Sequence, residues 1–256
     1  MVGGKFKIAQ IFSKKLLTAP PARDNLLRME NFEKYARQTA LPDFGAEGQR
    51  RLAESSVALV GVGGVGSAVL PLIVGAGFGR VALFDSDTVS AHNLHRQTLY
   101  AAAQEGRFKA ELAAESAKSL NPDVRVDFFC EKISAENSAE ILRESALCID
   151  ATDAFEARAE VSALCAAAGI REIAASAAGY VSQNFLFGDG FYFGDVAKSD
   201  GSPAPRGLPI FPAAAHLSGV WAASAAIRAV AVGGFEIGRF SMFDHAAFKY
   251  FSANIR

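Results

Sequence analysis

Residues 56–87 read SVALVGVGGVGSAVLPLIVGAGFGRVALFDSD, and the order of residue types in this stretch decides the fold. Residues 57–60 are a short apolar run of the kind that forms a parallel strand buried on both faces. Gly61, Gly63 and Gly66 follow at G-x-G-x-x-G spacing, with Gly64 between them. An apolar helical segment then continues to Gly75, and Gly75-Ala76-Gly77 marks its end. Pro71 lies inside that segment and predicts a kink or a local irregularity. A second apolar run, residues 81–84, ends on the carboxylate of Asp85, 19 residues beyond Gly66. Glycines let backbone approach phosphates, a helix N-terminus attracts anions, and an acid at the second strand's tip takes ribose hydroxyls. The glycines alone would mark only a tight turn. With the strand, helix and acid in place, they predict nucleotide binding.

Downstream, residues 86–97 form a polar stretch too irregular for helix or strand, leaving the carboxyl edge of a parallel strand, where α/β sheets bind ligands. Its Asn93 and Arg96 suit phosphates, although a plain surface loop has the same composition. His92 and His95 lack a third ligand at a recognisable spacing and predict no metal site. Lys109 opens a helical stretch to Ser119, where its charge opposes the helix dipole; an anionic ligand nearby or simple solvation accounts for it. Residues 124–128 and 146–151 read as a third and a fourth strand. The fourth ends in Asp150-Ala151-Thr152-Asp153, which suits either magnesium on a triphosphate or the cap of the helix predicted over 155–168. A fifth strand spans 171–177. Residues 185–187 and 191–193 read as a hairpin around Gly188-Asp189-Gly190, and 194–212 as the longest loop. An alanine-rich helix over 213–232, apolar on most faces, predicts burial, and 240–244 with 249–255 close the chain as a strand pair. The fold class is therefore α/β: a Rossmann-like, mostly parallel sheet flanked by helices and extended by antiparallel C-terminal strands.

With 256 residues, a sizeable core is possible. No apolar run reaches the ~18 residues that a membrane span needs. Twenty-six basic against 27 acidic residues leave a net charge of −1, so neither nucleic acid nor a membrane surface is expected as partner. Cys130, Cys148 and Cys165 are odd in number and widely spaced, which fits a reducing cytoplasm. No CxxC pair exists, so no zinc is expected. The N-terminal 28 residues, with scattered lysines and Pro20-Pro21, read as a flexible arm preceding a domain over 29–256. They lack the long apolar core of a signal peptide, and Met29 is a candidate start.

Tyr35-Ala36-Arg37-Gln38, the glycine loop, Asp85-Ser86-Asp87, Asn93-Leu94-His95-Arg96-Gln97, Lys109, Asp150-Ala151-Thr152-Asp153 with Arg158, and Met242-Phe243-Asp244 occur in that order. Together they resemble the ThiF/MoeB/HesA family, bacterial relatives of ubiquitin-activating enzymes, from about Phe32 to the C-terminus. The resemblance implies ATP- and magnesium-dependent adenylylation of the C-terminal glycine of a ubiquitin-like sulfur carrier ending in Gly-Gly, by a homodimer. The carrier is expected to be ThiS-like, for thiamine, or otherwise MoaD-like, for molybdopterin. Carried over by position, Gly61, Gly63, Gly64 and Gly66 form the nucleotide loop. Asp85, with Asp87 beside it, binds the ribose side; Asn93, Arg96, Gln97 and Lys109 face the phosphates. Asp153 becomes the magnesium-linked catalytic acid, and Arg37 reaches the γ-phosphate of the neighbouring subunit. Lys34 and Ala154 depart from the family's usual arginine and asparagine, and the loop over 194–212 lacks a cysteine for covalent carrier chemistry. Two other classes follow from subsets of the motifs. A nicotinamide-dependent oxidoreductase needs only the glycine loop and Asp85, and leaves Arg37, Arg96, Lys109 and Asp153 without a joint purpose. A non-catalytic scaffold has no need to retain both Arg37 and Asp153.

Overall fold

A computed structural model describes residues 33–197 and 208–256. The expected N-terminal arm over 1–28, and most of the loop over 194–212, lie outside them. Eight strands form one sheet in the order β3-β2-β1-β4-β5-β6-β7-β8. β1 (Ser56–Val60), β2 (Arg80–Phe84), β3 (Arg125–Phe129), β4 (Leu147–Asp150) and β5 (Arg171–Ala178) run parallel. β6 (Val181–Phe187), β7 (Arg239–Asp244) and β8 (Lys249–Asn254) extend it antiparallel.

Alternation along the central strands explains the layers. Val57, Leu59, Val81, Leu83, Leu147 and Ile149 point to one face, against α3 (Gly66–Ala76), α4 (Lys109–Leu120) and α8 (Pro212–Ala231). Ala58, Val60, Ala82, Phe84 and Cys148 point to the other, against Leu142 of α5 (Ala135–Glu144) and Val161 and Cys165 of α6 (Phe155–Ala168). Cys148 and Cys165 are thus core residues; a hydrogen bond between them and then burial push the Cys148 thiol well up, away from a reactive thiolate.

α3 ends one residue later than its glycines predict. Gly77 adopts φ +88°, with Phe78 N–H donating to the Ile73 carbonyl, the left-handed stop that only glycine enters without strain. The helix runs through Pro71 as one continuous element from Gly66 to Ala76. α8 buries small residues rather than all its faces: Ala215, Ser218, Gly219, Ala222, Ala223 and Ala226 are covered, while Val220 is exposed. A Cβ on Gly219 would stand 2.4 Å from the Val65 carbonyl oxygen, so this glycine sets how closely α8 meets the start of α3.

Two expectations need correcting. The second hairpin arm over 191–193 is not a strand: only a Gly188–Phe191 bridge forms, and the chain turns into α7 (Phe193–Val196). Phe193 N–H donates to Ser162 Oγ and Tyr192 N–H to Asp195 Oδ2, which withdraws both donors from a ladder, while the Phe193 ring joins Phe187 in a small core. α5 was not anticipated. Only Ser138 and Leu142 of its ten residues are buried, too sparse an apolar stripe to announce a helix.

Candidate functional site

The strand order reverses between β1 and β4, and the groups predicted to meet a nucleotide leave the carboxyl ends of the strands at that switch point. The glycine loop follows β1, Asp85 tips β2, and Asp153 follows β4. A cavity of about 550 Å³ lies here, lined by Asp87, His92, Asn93, His95, Arg96, Gln97, Lys109 and Asp153, and closed by residues 208–210. Six sequence-predicted residues, from Asp87 to Asp153, therefore share one wall although 66 positions separate them.

The loop itself is held by side chains. Asp85 Oδ2 accepts from Val62 N–H at 2.8 Å, and Tyr100 Oη donates to the Val62 carbonyl at 2.7 Å. Asp85 Oδ1 also accepts from Asp87 N–H, so this carboxylate is anchored to backbone beside the cavity rather than standing in its wall. Burial raises its affinity for a proton, and the Val62 hydrogen bond opposes that. Each of its oxygens keeps a second lone pair for a ribose hydroxyl. A Cβ on Gly66 would lie 2.2 Å from the Gly61 carbonyl oxygen, so the turn closes only with glycine there. A Cβ on Gly64 would crowd Arg96 Cγ at 3.1 Å, and one on Gly63 would meet Gln97 Nε2 in ordinary contact at 3.4 Å. The loop and the Asn93–Gln97 segment are thus in mutual contact.

Lys109 begins α4 with its side chain 4 % exposed, and its one ion-pair partner among the described residues is Asp87 at 2.8 Å, itself 69 % exposed. A nearly buried ammonium at a cavity wall, opposed to its own helix dipole, suits a polyanion. Arg96 donates through Nη2 to Asn93 Oδ1 at 3.1 Å, and its carbonyl oxygen lies 3.0 Å from His216 Nε2 on α8. Gln97 is buried, and its Oε1 has no hydrogen-bond partner among the described residues. This orphaned acceptor and the glycine cradle fit a bound molecule carrying phosphates and donors, as a nucleoside triphosphate does. Asp153 is exposed and makes no ion pair or hydrogen bond among the described residues. A free carboxylate facing phosphates matches the way magnesium is held, through one or two protein carboxylates plus substrate oxygens. Among the described residues, no three His, Cys, Asp or Glu side chains gather as a metal cage.

Asp150 is not available as a metal ligand. It is fully buried, accepts from Arg158 Nε at 3.0 Å, and takes both the N–H and the hydroxyl of Thr152. Arg158 also donates to the Thr152 and Ala175 carbonyls. The network fixes the turn that presents Asp153, which Ala154 then joins to α6 without a side-chain cap.

Arg37 is not at the cavity of its own chain. It is exposed, with no partner among the described residues, on the short helix α1 (Ala36–Thr39). The flanking Gln38 donates to the Ala76 carbonyl, and Asn121 bonds both Tyr35 Oη and the Val74 carbonyl. Lys34 joins the same anchor through Asn121 and Asp123, which explains how lysine serves at that position. These contacts fasten Arg37's segment to the C-terminal end of α3, whose 11 residues put it roughly 16 Å from the glycine loop.

Sequence reasoning did not single out Tyr100 or the wall residues 208–210, and it weighed the imidazoles of His92 and His95 only as metal ligands. The last two had a signal, since they flank Asn93 and Arg96 in one segment.

Near this region lies a titratable group with a measurable consequence. Glu172 on β5 is buried; Ser162 Oγ donates to its Oε2, and Oε1 has no partner among the described residues. Burial, then the nearby Asp150, pushes its carboxyl up to about 8 from an ordinary 4.5. Because the folded chain keeps this proton while the unfolded chain gives it up, rising pH between about 4.5 and 8 erodes stability. At pH 7 the loss is on the order of 3 kcal/mol. Glu172→Gln, which cannot ionise, should therefore be more stable than wild type at pH 7 and nearly equal to it at pH 4.5. Urea midpoints across pH check this; parallel curves for the two proteins would refute it.

A model of the ThiF family matches residues 35–250. A sulfur carrier protein adenylyltransferase of Thermus thermophilus is 45 % identical over 129 residues, 50 % of this chain and 48 % of that protein. The adenylyltransferase and sulfurtransferase MOCS3 of Arabidopsis thaliana is 35 % identical over 167 residues, 65 % of this chain and 36 % of that protein. The chain thus spans about half or less of the length of these curated relatives. Crystal structures share its fold: E. coli MccB with ATP, at TM-score 0.75 and 20 % identity, covers 92 % of this chain and 74 % of that one. PaaA, also at TM-score 0.75 and with 22 % identity, covers 94 % and 79 %.

Proposed function

The chain belongs to the ThiF family, and from that membership we propose that it is an ATP- and magnesium-dependent adenylyltransferase acting on a ubiquitin-like sulfur carrier that ends in Gly-Gly. The observation that carries the proposal is the cavity at the switch point, where Asn93, Arg96, Gln97, Lys109 and Asp153 meet the glycine loop. Support for the substrate class comes from the curated relatives named as sulfur carrier adenylyltransferases. A nicotinamide enzyme would have no joint use for Arg96, Lys109 and Asp153.

In the proposed reaction, an oxygen of the carrier's C-terminal carboxylate attacks the α-phosphorus of ATP. The new O–P bond forms as the bond to the β-phosphate oxygen breaks, giving the acyl-adenylate and pyrophosphate. The substrate is itself the nucleophile, so the chain's task is alignment and charge neutralisation. Gly63 and Gly64 admit the phosphates, Asn93 and Gln97 orient them, and Arg96 and Lys109 offset the charge that builds on the departing pyrophosphate. Asp85 receives the ribose. Asp153 would hold the magnesium ion, which when bound would supply Lewis-acid stabilisation of the phosphate oxygens. Arg37 serves the site of a second copy in a homodimer; support for that is its anchorage at the far end of α3 from its own loop.

ATP–pyrophosphate exchange tests the proposal. Exchange should appear only with a Gly-Gly-ended carrier and fall by at least about 10²-fold in Asp153→Ala. Undiminished exchange in that variant would remove Asp153 from its role. ThiS-like and MoaD-like carriers offered side by side assign the pathway, the carrier with the higher exchange rate being the substrate.

A further inference from the structure

The segment that brings Asn93 and Arg96 to the cavity sets two imidazoles in the same wall. His92 and His95 both line it, and both are exposed. His95 Nδ1 lies 3.0 Å from the His92 carbonyl oxygen. A carbonyl only accepts, so Nδ1 carries the hydrogen, and the neutral ring keeps its lone pair on Nε2. Arg96 Nη1 faces that lone pair from 3.4 Å, so a proton on Nε2 gives up this contact and sets two cations side by side, which only a bound anion offsets. His92 Nδ1 lies 2.8 Å from Ser90 Oγ, a hydroxyl that donates or accepts as needed, so this contact survives a change of charge on the ring. The other charged and titratable groups facing them are Lys109, Asp87 and Asp153 in the wall. Beyond these are Glu105, which takes the Ala91 N–H beside His92, and His216 on α8 behind the Arg96 carbonyl. Lys109 is paired with Asp87, and counting Asp87 and Asp153 against Arg96, Lys109, magnesium and the second copy's Arg37 still leaves a tetra-anionic triphosphate with about one uncompensated negative charge.

We infer that His92 and His95 are further phosphate ligands that become charged when a polyphosphate is bound, so that nucleotide binding takes up protons. The inference rests on the nucleotide reading of the cavity and adds a proton to it. Imidazole is the side chain that changes charge between pH 5 and 8, and a nearby anion favours its charged form. If the complex holds more protons than the free protein, affinity falls as pH rises through that window. Each unit by which the anion moves an imidazole titration upward corresponds to about tenfold in affinity.

Isothermal titration of the full chain with the α,β-methylene analogue of ATP and magnesium tests this. It is run at pH 6 to 8 in buffers of different ionisation enthalpy, on wild type and on the His92→Gln/His95→Gln variant. Comparing the two proteins cancels the analogue's own protonation. Wild type should take up protons near pH 7, and between pH 6 and 8 its affinity should fall about threefold to tenfold more than the variant's. A readout without substitution is the NMR titration of the two imidazoles, whose curves should move to higher pH when the analogue is added. Equal proton uptake and equal pH slopes in the two proteins, or imidazole curves unmoved by bound analogue, overturn the inference and leave the nucleotide site standing. Failure of wild type to bind the analogue at all overturns both.

Discussion

Mixing Arg37→Ala subunits with Asp153→Ala subunits should restore adenylylation activity that neither variant shows alone. Each substitution by itself removes one group from every site. Loss of an arginine that neutralises a transferring phosphoryl group costs roughly 10³–10⁵ in rate in related reactions. Arg37 is exposed, free of partners among the described residues, and fastened through its neighbours Tyr35 and Gln38 to the end of α3 remote from the glycine loop. The helix between that anchor and the loop is roughly 16 Å long, more than the length of an arginine side chain, which supports a role outside its own cavity. In a mixed dimer with Arg37 acting across the interface, one site holds both residues and the other neither. Activity should then rise toward half that of the wild-type dimer when every dimer is mixed. If Arg37 served its own subunit, each mixed site would still lack one residue. An inactive mixture with verified subunit exchange would contradict the trans assignment.

Arg158→Ala should cost about 3–5 kcal/mol of stability, the usual consequence of stranding a buried charge. Asp150 is fully buried, and its salt bridge to Arg158 is its only cationic contact among the described residues. The same guanidinium closes the Thr152 and Ala175 carbonyls, so its removal also frees the turn that carries Asp153. Urea denaturation measures the first effect. A loss below about 1 kcal/mol would mean that Asp150 is not charged in the folded state or is reached by water.

These two residues show how far the sequence could be read. The β1–α3–β2 unit was legible because each piece has its own local signature: two short apolar runs, glycines at fixed spacing, and a left-handed stop at Gly77. The parallel-then-antiparallel sheet followed from the same periodicities. α5 was silent because it buries only Ser138 and Leu142. The supposed strand over 191–193 misled because aromatic, β-favouring residues there are buried as single anchors, with Ser162 and Asp195 taking their backbone donors. At the site, charged residues on the polar segment after β2 were readable as phosphate-facing. The spending of Asp85 on Val62, the clamp by Tyr100, and the capture of Asp150 by Arg158 were not. Those contacts join residues far apart in sequence or on different elements, and only packing decides them. Buried Glu172 belongs with them, since nothing in its local sequence reveals that it lies beside Asp150.

The proposed reaction joins an adenylyl group to a carrier's C-terminal glycine in this cavity. Intact-mass analysis of a Gly-Gly-ended carrier, after incubation with the chain, ATP and magnesium, tests it most directly. A carrier population heavier by one adenylyl group is expected, labile to hydroxylamine, formed with release of pyrophosphate and missing when Asp153→Ala replaces wild type. A carrier of unchanged mass, with pyrophosphatase present to draw the reaction forward and nucleotide binding verified in the same sample, would contradict it.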